Sequence, residues 1–138
     1  MPLVSVFFYG SFISCDVLAE HDVIVDRYEV ARLYGYDMVI QPLANLVRVI
    51  GRSVYGILAE VTEQQLDRIY GEVWVSAYQP DDVTVETLAS AKRSARCCLA
   101  PASDPSPPAR DYIDRIVQAA QRYAFPEWYL QRLELYRT

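Results

Sequence analysis

Few residue types in this chain can do covalent chemistry, and their spacing removes most of the choices. Its 138 residues contain one histidine, His21, and three cysteines, Cys15, Cys97 and Cys98. A Ser–His–acid or Cys–His arrangement would have to use His21, and no serine stands in a G-x-S-x-G elbow. His21 falls near the end of a predicted helix, where it complements the helix dipole. Zinc needs clustered Cys and His, so no dedicated metal site is expected. "YGS", Tyr9 to Ser11, supplies a single glycine and is no phosphate loop. Carboxylate chemistry remains. Glu60 ends a strand just before a helix, and Glu86 alternates outward in "VTVET". Glu72 follows Gly71 at a helix-to-strand junction, beside Val73, Trp74 and Tyr78. A carboxylate held there among aromatic side chains can have a raised pKa and act as a general base. The second chemical feature is "VFFYGSF", Val6 to Phe12, where an apolar run stops at Gly10-Ser11. Gly10 lets a ligand or another backbone come close, and the N–H groups near Ser11 and Phe12 can hold an oxygen.

These residues must be positioned by a single domain, residues 1–138, long enough to bury a core. Apolar residues make up 52% and charged residues 22%, values of an ordinary globular protein. The net charge of −5 and the lack of a basic stripe argue against nucleic acid and acidic membrane surfaces as partners. Lys92, Arg93 and Arg96 read as a solvated turn and strand face. Three cysteines with no regular spacing are not a disulfide framework. Cys97 and Cys98 are adjacent on a strand and face opposite ways, which points to a reducing cytoplasm. Leu3 to Tyr9 is too short for a signal sequence, and no run approaches the ~20 apolar residues of a membrane span. Eleven tyrosines suit either a partly polar pocket or the core boundary.

The pattern predicts strands over Leu3–Tyr9, Val23–Leu33, Tyr36–Ile40, Leu43–Ile50 and Ser53–Val61. Gly56, inside the last of these, marks a bulge or a close backbone approach. Ser14 is the expected N-cap of a helix over Cys15–His21. Thr62-x-x-Gln65 reads as a capping box for a helix whose inward face is Leu66 and Ile69, closed at Gly71. Further strands are predicted at Val73–Tyr78, Val83–Leu88 and Arg96–Ala100, with Asp81-Asp82 as a turn. A Pro/Ser-rich connector, Pro101–Ala109, leads to a helix over Arg110–Tyr123 and a second one after Pro126. Strands dominate and helices close the chain, so the fold class is α+β.

Three blocks resemble one family. "FFYGSF" resembles the YGS/YGT turn of the γ-glutamylcyclotransferase-like proteins, which include the AIG2-like and butirosin-type cyclotransferases. "VYGILAEVTEQQLDRIY" resembles their middle block, and "YIDRIVQAAQRYAFPEWYLQRLE" their closing helices. The resemblance implies a small mixed β-barrel flanked by helices and a cofactor-free reaction. In it a γ-glutamyl amine attacks its own side-chain carbonyl, giving 5-oxoproline and a released amine. It also implies substrate binding at Tyr9, Gly10, Ser11 and Phe12. The family base is the Glu of "L-x-x-L-D-x-x-E-G". Counted from Leu66, this chain has Tyr70 for the Asp, Val73 for the Glu and Trp74 for the Gly. Glu72 stands one residue early and is the candidate base. Trp74 and Tyr78 are candidate pocket residues, and Cys98 falls where many members carry a strand Tyr. Three readings follow. One is a diverged cyclotransferase using Glu72. Another is the same fold cyclising or isomerising a different small molecule of secondary metabolism. The third is a non-catalytic small-molecule-binding module.

Overall fold

A computed structural model describes residues 3–25, 27–40, 44–70, 79–99 and 110–137. Five strands close into a barrel: β1 (Val4–Phe8), β2 (Tyr28–Ile40), β3 (Ala44–Val61), β4 (Gln79–Thr87) and β5 (Lys92–Leu99). Their order around the barrel is β1-β3-β2-β4-β5. The β1–β5 pair is parallel and the others are antiparallel, so the barrel is mixed. Helices α1 (Cys15–Glu20), α2 (Glu63–Tyr70), α3 (Arg110–Arg122) and α4 (Glu127–Glu134) complete the α+β fold.

Strand register sorts the side chains into an inner and an outer set, because directly opposed residues share a face. Phe7 opposes Leu58, Ala31 opposes both Gly56 and Thr87, and Leu33 opposes Val54. All but the glycine are buried side chains of one continuous face, and they fill the barrel. Gly56 is obligatory there. A Cβ at this position would lie 2.1 Å from the Phe8 carbonyl oxygen and 2.8 Å from the Phe7 ring. The close approach expected at Gly56 is therefore real. The alternate residues Val6, Phe8, Ile57 and Ala59 are buried as well. Their partners in the same apolar cluster include Ile113, Ile116, Val117 and Ala120 of α3 and Leu133 of α4.

Several expected boundaries move. Tyr36–Ile40 is not a separate strand but continues β2 through Gly35, and Leu43–Ile50 and Ser53–Val61 are one strand, β3. The joint is irregular. Tyr34 opposes Ser53 and Tyr36 opposes Arg48, so residues 49–52 of β3 stand against Gly35 alone. Gly35 and Gly51 take φ of +84° and +85°, the left-handed backbone that only glycine enters cheaply. Asp81-Asp82 is no turn but lies inside β4. Among the described residues, the β2 ladder reaches β4 only at Glu86 and Thr87, and the first part of β4 pairs with β5 alone. An edge of this kind tolerates Pro80, which has no N–H, and exposed aspartates. The expected caps are present. Ser14 Oγ accepts from the Val17 amide at 3.4 Å. Thr62 and Gln65 exchange both bonds of the capping box, at 2.8 and 3.1 Å. The strand expected at Val73–Tyr78 and the connector at Pro101–Ala109 lie outside the described residues. No described helix is long and apolar enough to cross a membrane.

Candidate functional site around the Gly10 turn

β1 ends at Phe8, and the chain turns at once into a single 3₁₀ turn over Ser11–Ile13. Bonds from Ile13 N–H to the Gly10 carbonyl (3.1 Å) and from Ser14 N–H to the Ser11 carbonyl (3.0 Å) hold this turn. Such a turn leaves its first amides without acceptors inside the turn. Tyr9, Gly10, Ser11 and Phe12 are all buried, so the amide of Ser11 needs a partner from elsewhere.

Tyr112, in the first turn of α3, closes over this turn. Its phenol oxygen accepts a hydrogen bond from the Ala44 amide at 2.9 Å. Ser11 lies near the same hydroxyl and favours its ionised form. Ala44 opens β3, far along the chain from the part of β3 that pairs with β1. An extended strand from Ile57, opposite Phe8, back to Ala44 would span on the order of 40 Å. Yet a Cβ on Gly10 would meet the Ala44 Cβ at 2.8 Å and the Tyr112 hydroxyl at 3.4 Å. The irregular joint at Gly35 and Gly51 lets the β2–β3 hairpin fold its far end back onto the turn. Gly10 itself has a negative φ of −100°. Its glycine is required by close approach, not by a left-handed backbone.

The electrostatics follow from this geometry. Burial raises the Tyr112 pKa above that of an ordinary tyrosine, and the Ala44 amide and the nearby Ser11 oppose that shift without cancelling it. The phenol stays neutral at physiological pH. The Ala44 amide aimed at its oxygen polarises its own O–H, which makes it a stronger donor to a further group.

Tyr9 braces the site from the other side. Its hydroxyl donates to the Cys98 carbonyl at 2.6 Å. Cys98 opposes Pro80 and Leu99 opposes Gln79, so the chain enters β4 at the same end of the barrel as Gly10. Phe12 follows Ser11 in the same buried turn. It packs edge-on against Phe8 and against His21, at 6.2 and 5.6 Å between centroids. His21 thus does more than cap α1. Burial pushes the Cys97 thiol well up from its usual range, with Cys98 and Asp81 adding to the effect. The three described cysteines are free thiols.

The structure therefore brings together Tyr9, Gly10, Ser11 and Phe12, and it adds Tyr112 and Ala44. Glu72, Trp74 and Tyr78 lie outside the described residues. Sequence reasoning missed Tyr112 because nothing in a helical repeat distinguishes it from a core-boundary tyrosine. Its place four residues before Ile116, on the inward stripe, was the available signal.

A closed mixed barrel of five strands, a glycine turn at the end of β1 and two closing helices define a γ-glutamylcyclotransferase-like fold. Residues 53–133 match the model of the AIG2-like family, and the chain belongs to that family. Among solved structures, a γ-glutamyl cyclotransferase superposes with a TM-score of 0.80 at 20% identity, over 96% of this chain and 87% of that one. An uncharacterized protein from Homo sapiens gives 0.83 at 18% identity, over 97% and 88%. An AIG2-like protein from Mus musculus gives 0.60 at 18% identity, over 76% and 82%. Likeness at these identities shows the fold. No curated protein matches the sequence.

Proposed function

We propose that the protein is a cofactor-free cyclotransferase acting on a small γ-glutamyl amine. One observation carries this reading. The Tyr112 hydroxyl, held by the Ala44 amide at 2.9 Å, sits directly against the Gly10 turn, where even a Cβ on Gly10 would meet it at 3.4 Å. In this reading the phenol's own proton goes to a substrate oxygen.

In this reaction the substrate's α-amine attacks its own δ-carbonyl carbon. A ring C–N bond forms, the exocyclic amide C–N bond breaks, and 5-oxoproline and an amine leave. A base must take one proton from the attacking ammonium and return one to the departing nitrogen. Glu72 is the proposed base, being the carboxylate nearest in sequence to the family's position. Tyr112 is the proposed donor to the oxyanion that develops on the carbonyl. The Gly10–Ser11 backbone fixes the substrate's other end. Holding amine and carbonyl in line lowers such a barrier by roughly 7–11 kcal/mol in favourable cases.

Trp74, in place of the family glycine, favours a less polar leaving amine than an amino acid. The same replacement, with Val73 where the Glu is expected, motivates the second reading, a different cyclisation or isomerisation on this fold. A product assay separates them. Incubation with a panel of γ-glutamyl amines should release 5-oxoproline, most from substrates with apolar amines. Turnover of other metabolites without any 5-oxoproline favours the second reading. Saturable binding of a ligand that is never converted would point to a binding module.

A further inference from the structure

The outer face of the barrel carries a group of side chains that the proposed reaction leaves unused. Arg32 of β2 stands opposite Tyr55 of β3, and Tyr34 stands opposite Ser53. Across the other edge of β2, Arg32 opposes Glu86 of β4. These residues share one face of the sheet, and Trp128 of α4 reaches over it.

Arg32 is fixed at its neck. Its Nε–H donates to Ser53 Oγ at 2.8 Å, and Ser53 is itself buried. The guanidinium carbon lies 4.7 Å from the Tyr34 ring centroid, 5.2 Å from Tyr55 and 5.5 Å from Trp128. Each ring face attracts the cation. Among the described residues, the ion pairs engage Arg96, Arg115, Arg122 and Arg132, and not Arg32. Its cross-strand neighbour Glu86 accepts from the Tyr34 hydroxyl instead, at 3.4 Å. A guanidinium held only through Nε keeps its two terminal nitrogens for a ligand. That edge is the one that grips a carboxylate as a two-pronged fork. Tyr34 is 53% exposed and Trp128 40% exposed, so the aromatic frame opens to solvent.

We propose that Arg32, framed by Tyr34, Tyr55 and Trp128, is a binding subsite for a monocarboxylate with a flat or apolar body. The rings accept the body and the fork accepts the carboxylate. A dianion is disfavoured by Glu86 one strand away and by the chain's net charge of −5. A free aromatic acid and the C-terminus of a peptide share this chemistry.

The test is an NMR titration of the whole protein, following the Arg32 Nε–H and Trp128 indole N–H resonances. Benzoate stands for a free aromatic acid and N-acetylphenylalanine for a peptide terminus. Benzamide and inorganic phosphate are the controls. Saturable shifts of both resonances with either carboxylate are expected, and the tighter of the two identifies the source. Arg32→Lys keeps the charge without the fork and should weaken binding about ten- to hundredfold, measured on protein that its urea midpoint shows to be fully folded. Trp128→Phe keeps a ring and should retain binding within about threefold. The proposal is overturned by absence of a saturable shift, by benzamide or phosphate binding as tightly as benzoate, or by undiminished binding in Arg32→Lys.

Discussion

Tyr112 and Gly10 are two residues read through their neighbours rather than their own types. Gly10 was legible in the sequence because an apolar run ended on it. Its reason was not legible, since the atoms that exclude a side chain belong to Ala44 and Tyr112. Tyr112 was hidden among eleven tyrosines. Removing its hydroxyl separates its two roles. Tyr112→Phe leaves the buried Ala44 amide without its acceptor, so unfolding free energy should fall by about 1–3 kcal/mol in urea titrations. Under the proposed reaction, kcat should fall about 10²–10³-fold in the same variant, with a far smaller change in KM. A loss of stability with full turnover would leave Tyr112 a purely structural strut.

The elements were predicted best where local chemistry decides them. Ser14, Thr62 and Gln65 cap their helices through bonds spanning three residues, and a sequence window holds all of that information. Thr62→Ala should accordingly cost about 1 kcal/mol of stability. Strand extents were read poorly because they depend on partners. Asp81-Asp82 resembles a turn until β5 is seen to supply one ladder and solvent the other side. Gly35 and Gly51 resemble strand ends until they are seen as the joint of one long hairpin. Gly56 offers the sharpest check on the barrel. A methyl there must displace Phe8's backbone as well as the Phe7 ring, and backbone cannot swing aside. Gly56→Ala should destabilise by about 3 kcal/mol, seen as a lower urea midpoint.

Across the whole molecule, tyrosine hydroxyls tie distant parts of the chain together. Tyr123 donates to the Ile13 carbonyl at 2.8 Å and Tyr136 to that of Met38 at 2.9 Å. Tyr129 donates to the Tyr55 carbonyl at 3.3 Å. These bonds fasten the closing helices to the barrel and to the turn after β1, which gives several of the tyrosines a structural role. They also set an alkaline limit. Burial raises the folded-state pKa of Tyr112, Tyr129 and Cys97. The folded protein then holds these protons more tightly than the unfolded chain. Stability is full below the unfolded values, near 8.5 for Cys and 10 for Tyr, and falls as pH rises beyond them. The urea midpoint should be flat from about pH 7 to 8 and clearly lower by about pH 10.5.

The central claim is that this AIG2-like chain closes a γ-glutamyl amine into 5-oxoproline with Glu72 as base. It is tested most directly by measuring 5-oxoproline release from γ-glutamyl amines by the native protein and by Glu72→Gln at matched fold stability. Release by the native protein and its loss in Glu72→Gln are the expected results. Equal release by both proteins would contradict the assignment of the base, and no release from any γ-glutamyl amine would contradict the reaction itself.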